Sequence, residues 1–240
     1  MEEEKKEDEV RKLISITSWY ISLQIITLLA FLGGAAFLYT EIQGLKQGIA
    51  SNSIAGQVPT SPKEIKNWDE YIRSHDATHG DTAAEIVVVE FTDFQCHYCK
   101  IFNDNTRKQL LSKYGDNIRM VLKHYPLESI HPEAKQAAVA AQCALREGKF
   151  WEMTDVLFNN QDKLSTEFLI AAGKSLGLGS QYAECVTNQD TLAEVEQDIQ
   201  DGARVGVQGT PAFLVNGKLV MGAIPLTQFE SLIKEPDLCE

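Results

Sequence analysis

A chain of 240 residues has room for one large domain or two small ones, and a composition of 44% hydrophobic and 23% charged residues excludes wholesale disorder. With 22 Lys and Arg against 34 Asp and Glu, the net charge is −12. Nucleic acid is thereby excluded as a partner, because phosphate recognition needs a concentrated basic surface.

In chain order, residues 1–12 form a short charged tail, and no charged residue occurs from Leu13 to Thr40. About 20 apolar residues in a helix suffice to cross a bilayer core. Trp19 and Tyr20 at one end and Tyr39 at the other suit the two membrane interfaces. A cleaved secretory signal is the alternative, but its apolar region is usually about 7–15 residues. The length favours an uncleaved transmembrane helix over 13–40. Lys5, Lys6, Arg11 and Lys12 precede the span and only Lys46 follows it closely, which orients the N-terminus to the cytoplasm. The expectation is a single-pass protein of the cell membrane with its bulk outside the cytoplasm.

Residues 41–63 carry Gly, Ser, Asn, Gln and two prolines, Pro59 and Pro62, and read as a stalk. A globular domain is expected over 64–240. The β-branched run from Glu85 to Phe91 suits a strand buried on both faces. A helix-compatible stretch follows to about Tyr114, closed by Gly115, and Ile118 to Lys123 reads as a second strand. Strand, helix, strand implies a parallel pair.

From about 132 to 206 the chain reads as helical throughout. Pro132 is placed as the first residue of the first helix. Ala137 to Ala144 favours helix by propensity. Leu192, Val195, Ile199 and Ala203 recur at helical spacing on a longer helix and are expected in the core. Asn216-Gly217 between Ala212–Val215 and Lys218–Met221 is a strong hairpin signal, and a last helix runs from about Leu226 to Lys234. The fold class is α/β, in the order β-α-β, helical insert, β-β-α.

Of five cysteines, Cys96 and Cys99 form a C-x-x-C, which serves either redox chemistry or half a zinc site. A structural zinc site takes four ligands, commonly with a second closely spaced pair. Cys143 and Cys185 stand singly and far away, so the redox alternative is favoured, with no metal and no cofactor expected. Cys96 falls where a strand ends and a helix begins, and the helix N-terminus stabilises a thiolate. Cys96 is expected to be the exposed, attacking sulfur and Cys99 the deeper, resolving one.

His97 either stabilises the Cys96 anion or is an exposed bystander. Glu90, in an otherwise apolar strand, is expected to be buried beneath the pair with a raised pKa, moving a proton to or from Cys99; the alternative is a solvated carboxylate at the strand end. Pro211 opens a strand after Gly209-Thr210, where a cis Thr210–Pro211 bond would turn the Thr210 main chain toward an extended substrate.

Together these residues resemble the DsbA-like branch of the thioredoxin superfamily over roughly residues 75–235. The resemblance rests on Glu85–Phe91 followed by Thr92-Asp93-Phe94-Gln95-Cys96-His97-Tyr98-Cys99-Lys100. It continues in His131-Pro132-Glu133-Ala134, Gly148-Lys149-Phe150-Trp151 and Gly206-Val207-Gln208-Gly209-Thr210-Pro211. It implies a thioredoxin-like fold with a helical insertion, Cys96 as nucleophile, Cys99 as partner, Glu90 as buried acid and Pro211 as cis proline. Relatives commonly carry proline at the position of His97, so their redox potentials do not transfer.

Some membrane-anchored relatives have a structural disulfide in the insert, which here would join Cys143 and Cys185; two buried free thiols are the alternative. Cys239 is expected to be a mobile free thiol. The activity implied is disulfide formation in exported proteins with free thiols, reoxidised by a DsbB-like or VKOR-like membrane partner. An isomerase or reductase of the same fold is the nearest rival. A membrane-anchored, metal-stabilised binding module and a chaperone with incidental cysteines are rivals from other classes.

Overall fold

The computed structural model describes residues 62–234. The tail 1–12, the span 13–40, nearly all of the stalk 41–63 and Cys239 lie outside the described residues. Among the described residues, no helix is long and apolar enough to cross a membrane.

One six-stranded sheet organises the domain. Its strands are β1 (Lys63–Glu64), β2 (Ala77–His79), β3 (Ile86–Thr92), β4 (Ile118–His124), β5 (Ala212–Val215) and β6 (Lys218–Met221), in the spatial order β1-β6-β5-β3-β4-β2. The central β3 runs parallel to β4 and antiparallel to β5. Both Leu122 and Phe213 lie opposite Glu90. Lys63, the last stalk residue by sequence, pairs with Leu219 and so belongs to the sheet.

The β5–β6 hairpin turns at Asn216 (φ 46°) and Gly217 (φ 85°), the left-handed pair that a tight hairpin requires. Asn216 does a second job: its side chain accepts from Val87 N at 2.7 Å and donates to Glu85 O at 3.2 Å. The turn is thereby tied to the start of β3.

After β3 come α1 (His97–Ile101), a π-helical turn (Phe102–Arg107) and α2 (Lys108–Tyr114). Periodicity predicts one regular helix here. The wider turn instead brings Asn103, Thr106 and Arg107 into buried positions, and such turns are frequent at functional sites.

Five helices then form the insert: α3 (Ala134–Arg146), α4 (Phe150–Asn159), α5 (Thr166–Ser175), α6 (Ser180–Asn188) and α7 (Leu192–Val205). α8 (Leu226–Lys234) ends the described chain. Pro132 is not the first residue of α3, which begins at Ala134. The bond that opens α3 runs from Ala137 N to the Glu133 carbonyl at 3.0 Å, while Glu133 N is capped by the Gln95 side chain at 2.7 Å, so Pro132 stays outside the helix.

α7 also sits differently from its apolar pattern. Val195 and Val205 are buried, but Ala203 is exposed, and Asp198 and Asp201 face inward instead. The reason is Lys123 on β4, whose buried ammonium lies 2.7 Å from Asp198, 3.0 Å from Asp76 and 3.3 Å from Asp201. Charge pairing outweighs the small apolar gain of an inward alanine.

Each face of the sheet has its own core. Val88, Phe102, Leu110, Met120, Phe213 and Phe229 fill one side, and Val89, Phe91, Val121, Val205 and Leu214 the other. A third cluster fills the insert and extends to Phe94, Cys96 and Cys99. The cysteine pair therefore stands at the seam between sheet and insert.

Candidate active site

Cys96 is the N-cap of α1, with extended backbone (φ −74°, ψ 121°). Its carbonyl accepts the first helical bond from Lys100 N at 3.2 Å. Cys99 lies one turn further on, and both thiols are free. Cys96 is 6% exposed and Cys99 0%. The expectation of an openly exposed Cys96 is thus corrected. Its sulfur faces the loop before β5, 3.3 Å from the carbonyl oxygen of Thr210, and the residue packs into the insert's apolar cluster. It remains the more accessible of the two.

The Thr210–Pro211 peptide is cis, with Pro211 buried at the start of the hairpin. The structure thus brings Cys96, Cys99, Thr210 and Pro211 together across 114 residues of sequence.

The two sulfurs differ sharply in acidity. Hydrogen bonding from the Cys99 thiol is the largest cause lowering the Cys96 pKa to about 6, followed on the same side by Thr210 and by the amides of Cys99 and Tyr98, with burial opposing. When protonated, Cys96 donates to the Thr210 carbonyl. The Thr210 hydroxyl is buried with no partner within hydrogen-bonding distance, so it remains available to the anion. Cys99 moves the other way, raised well above its ordinary value by burial and then by the neighbouring sulfur. One thiol is ready to ionise near neutrality while the other holds its proton.

Beneath them, Glu90 and Thr92 project from the same side of β3, as alternation along a strand requires. Glu90 is 2% exposed, and burial pushes its pKa up to about 7; the Arg107 guanidinium and the Thr92 hydroxyl pull in the opposite direction. Thr92 also lowers the pKa of Cys99. Its buried hydroxyl has no partner within hydrogen-bonding distance, so it stands near both groups without being committed to either. Arg107, delivered by the π-helical turn, bonds Asp155 at 3.2 Å and lies 4.9 Å over the Trp151 ring.

His97 lies at the surface, with its ring 5.9 Å from that of Tyr98, and the leading causes of the Cys96 shift lie elsewhere.

Asp93, Gln95, His131 and Gln161 escaped functional assignment from sequence. One Asp93 oxygen accepts from Leu127 N and bonds His131 Nδ1, both at 2.8 Å; the other accepts from Gln95 N at 2.8 Å. The Asp93 carbonyl accepts from Cys96 N at 3.0 Å. Asp93 and His131 lie inside motifs that carry the family resemblance, but their pairing across 38 residues had no local signal.

Cys143 and Cys185 are joined by a disulfide (Cα–Cα 5.9 Å) that ties α3 to α6. Elsewhere His75, Asp76 and Asp198 converge closely enough to hold a cation, but Lys123 Nζ already lies against both carboxylates and supplies the positive charge. Among the described residues, this is the one such convergence of His, Cys, Asp and Glu, and neither Cys96 nor Cys99 is in it.

Comparison with known proteins agrees with this architecture. The thioredoxin family model matches residues 73–235. Among curated proteins, the chain is similar to a Na(+)/H(+) antiporter NhaA 3 of Salinispora tropica, 36% identical over 144 residues, covering 60% of this chain and 22% of that protein. It is also 33% identical over 172 residues to an NhaA 1 of Salinispora arenicola, covering 71% and 24%. The chain thus spans about a quarter of the length of these curated relatives.

Among solved structures, it is similar to a thioredoxin-like oxidoreductase from Silicibacter pomeroyi (TM-score 0.62, 23% identity, 70% of this chain and 96% of that one). It is similar also to oxidised BdbD from Bacillus subtilis (TM-score 0.62, 20% identity, 72% and 95%). A third is alpha-DsbA1 of Wolbachia pipientis (TM-score 0.60, 19% identity, 68% and 90%). A mixed parallel and antiparallel sheet with this topology, followed by a C-x-x-C at the start of α1 and matched over 73–235, places the chain in the thioredoxin family.

Proposed function

We propose that the chain is a DsbA-type thiol–disulfide oxidoreductase that forms disulfides in exported proteins. The carrying observation is the asymmetry of the pair: a Cys96 thiol lowered to about 6 at the N-terminus of α1, against a Cys99 thiol raised by burial. A stabilised thiolate makes the dithiol state favourable and the corresponding disulfide a stronger oxidant.

In the proposed cycle, a substrate thiolate attacks Cys96 Sγ of the Cys96–Cys99 disulfide. A substrate–Cys96 bond forms, and the Cys96–Cys99 bond breaks with its electron pair on Cys99. Cys99 takes up a proton, for which Glu90 is the nearby acid, with Thr92 between them. A second substrate thiolate then attacks the substrate sulfur and displaces Cys96 as a thiolate. The substrate leaves with a disulfide, and the two electrons remain on the reduced pair. A quinone-linked membrane oxidoreductase of the DsbB-like or VKOR-like class removes them. Thr210 and Pro211 form the surface that an extended substrate meets beside Cys96.

The apolar run 13–40 supports placing the enzyme at the cell membrane with its domain outside the cytoplasm, where disulfides persist. No ion transport is proposed from a match to a quarter of an antiporter's length.

The test is oxidation of a reduced, unfolded protein by the full chain. Cys96→Ser should abolish it, whereas retained activity contradicts the assignment. Zinc analysis and a thiol count under denaturing conditions separate this reading from a metal-stabilised binding module. A potential near about −120 mV fits an oxidase and one near about −270 mV a reductase.

A further inference from the structure

Besides the Glu133 amide at its start, the insert reaches the reactive loop through the end of α4 and the turn after it. Three side chains make the contact. The Phe158 ring packs 5.1 Å from Phe94, Asn159 Oδ1 accepts from Lys100 Nζ at 3.0 Å, and Gln161 Nε2 donates to two main-chain carbonyls. Those carbonyls belong to Phe94, at 2.8 Å, and to Cys96 itself, at 2.9 Å.

Both hydrogens of one amide are therefore used, and they bracket the backbone that carries the sulfur. Gln161 is half-buried while Phe94 and Cys96 are buried. The same loop is also held by its own Asp93 and, from the start of the insert, by the amide of Glu133 on Gln95.

We propose that Gln161 is a positioning residue through which the helical insert fixes the Phe94–Cys96 backbone and thereby sets the reactivity of the Cys96 sulfur. This rests on the thiol–disulfide reading of the pair.

Two physical effects act in the same direction. The Cys96 carbonyl carries partial negative charge close to its own sulfur, and an N–H donor on that oxygen places partial positive charge beside the thiolate. The clamp also holds Cys96 at the helix N-terminus and against Thr210, where the helix amides and the Thr210 hydroxyl favour the anion. Without the amide, the Phe94 and Cys96 carbonyls lose a donor in a site from which water is largely excluded.

The experiment uses the full chain with the Cys96–Cys99 pair reduced and the Cys143–Cys185 disulfide intact. Gln161→Met keeps the length and removes the donors; Gln161→Glu keeps the shape and faces both carbonyls with an acceptor. Cys96 is titrated by thiolate absorbance and by its alkylation rate with iodoacetamide as a function of pH.

Each variant should move the Cys96 titration upward by about one pH unit, with alkylation at pH 6 about fivefold slower. Leu169→Ala, a core deletion in α5 that removes none of the loop's hydrogen bonds, should lower stability and leave the titration in place. If both Gln161 variants titrate with the wild type, or Leu169→Ala shifts Cys96 as far as they do, the inference is overturned. Failure of the underlying functional reading shows separately: Cys96→Ser would oxidise substrate as well as the wild type, whatever the Gln161 variants do.

Discussion

Lys123 and Asp198 lie 2.7 Å apart, with the lysine side chain wholly buried and the aspartate nearly so. Asp76 and Asp201 complete the shell around the same ammonium, Arg73 grips Asp201 from outside at 2.8 Å, and His75 stands 3.5 Å from Asp198. The group fastens α7 and the segment before β2 to β4. Removing one partner of a buried ion cluster leaves uncompensated charge, which costs about 3–5 kcal/mol. Lys123→Met should therefore destabilise the domain by that order in equilibrium denaturant unfolding, with an unchanged m-value.

The deficit should grow with pH. Burial raises the Asp76 pKa to about 6 even with Lys123 opposing it, so without the lysine the folded state holds that proton more strongly still. A group whose folded pKa is raised stabilises fully below its unfolded pKa, and that contribution is lost as pH rises through the folded value. Lys123→Met should be closest to wild type near pH 5 and furthest from it near pH 8.

Glu90 obeys the same sign. Its folded pKa of about 7 lies above the ordinary 4.5, so its stabilising contribution is complete below pH 4.5 and gone above about pH 7. At about 1.36 kcal/mol per unit, the swing is about 3 kcal/mol. Glu90→Gln should flatten the pH profile of stability across this window and make the protein more stable than wild type at pH 8. It should also slow protonation of Cys99, with turnover reduced on the order of 10²-fold. A stability profile unchanged by the substitution contradicts the burial argument.

The disulfide between Cys143 and Cys185 closes a loop across 42 positions. Loop-closure entropy assigns such a link about 4 kcal/mol. The Cys143→Ala, Cys185→Ala double variant should lose up to that amount in denaturant unfolding and should keep the Cys96 titration, since the link joins α3 to α6 rather than touching the reactive loop. A shift in Cys96 would mean that this link, too, controls the site.

The elements that local periodicity encodes were legible in the sequence. The β-branched run became β3, Asn216-Gly217 became the hairpin turn, and the alanine-rich segment became the buried α3. The cysteine pair was legible because a C-x-x-C after a strand has few other uses. Long-range pairing of polar groups was not. Asp198 and Asp201 look like solvent-facing residues of an amphipathic helix until Lys123, 75 or more positions earlier, is placed against them. Gln161 looks like an ordinary turn residue until its amide is found on carbonyls 65 and 67 positions away. Cys96 is less open than its place at a helix start suggests, because the Thr210 loop and the insert close over it.

The measurement that bears most directly on the account is the ionisation of Cys96 in the reduced, full-length protein, followed by thiolate absorbance and checked against Cys96→Ser. The account predicts a step near pH 6 that vanishes in the variant, with Cys99 silent through neutrality. A single ordinary transition near pH 8.5, or a step near pH 6 that survives in Cys96→Ser, would contradict it.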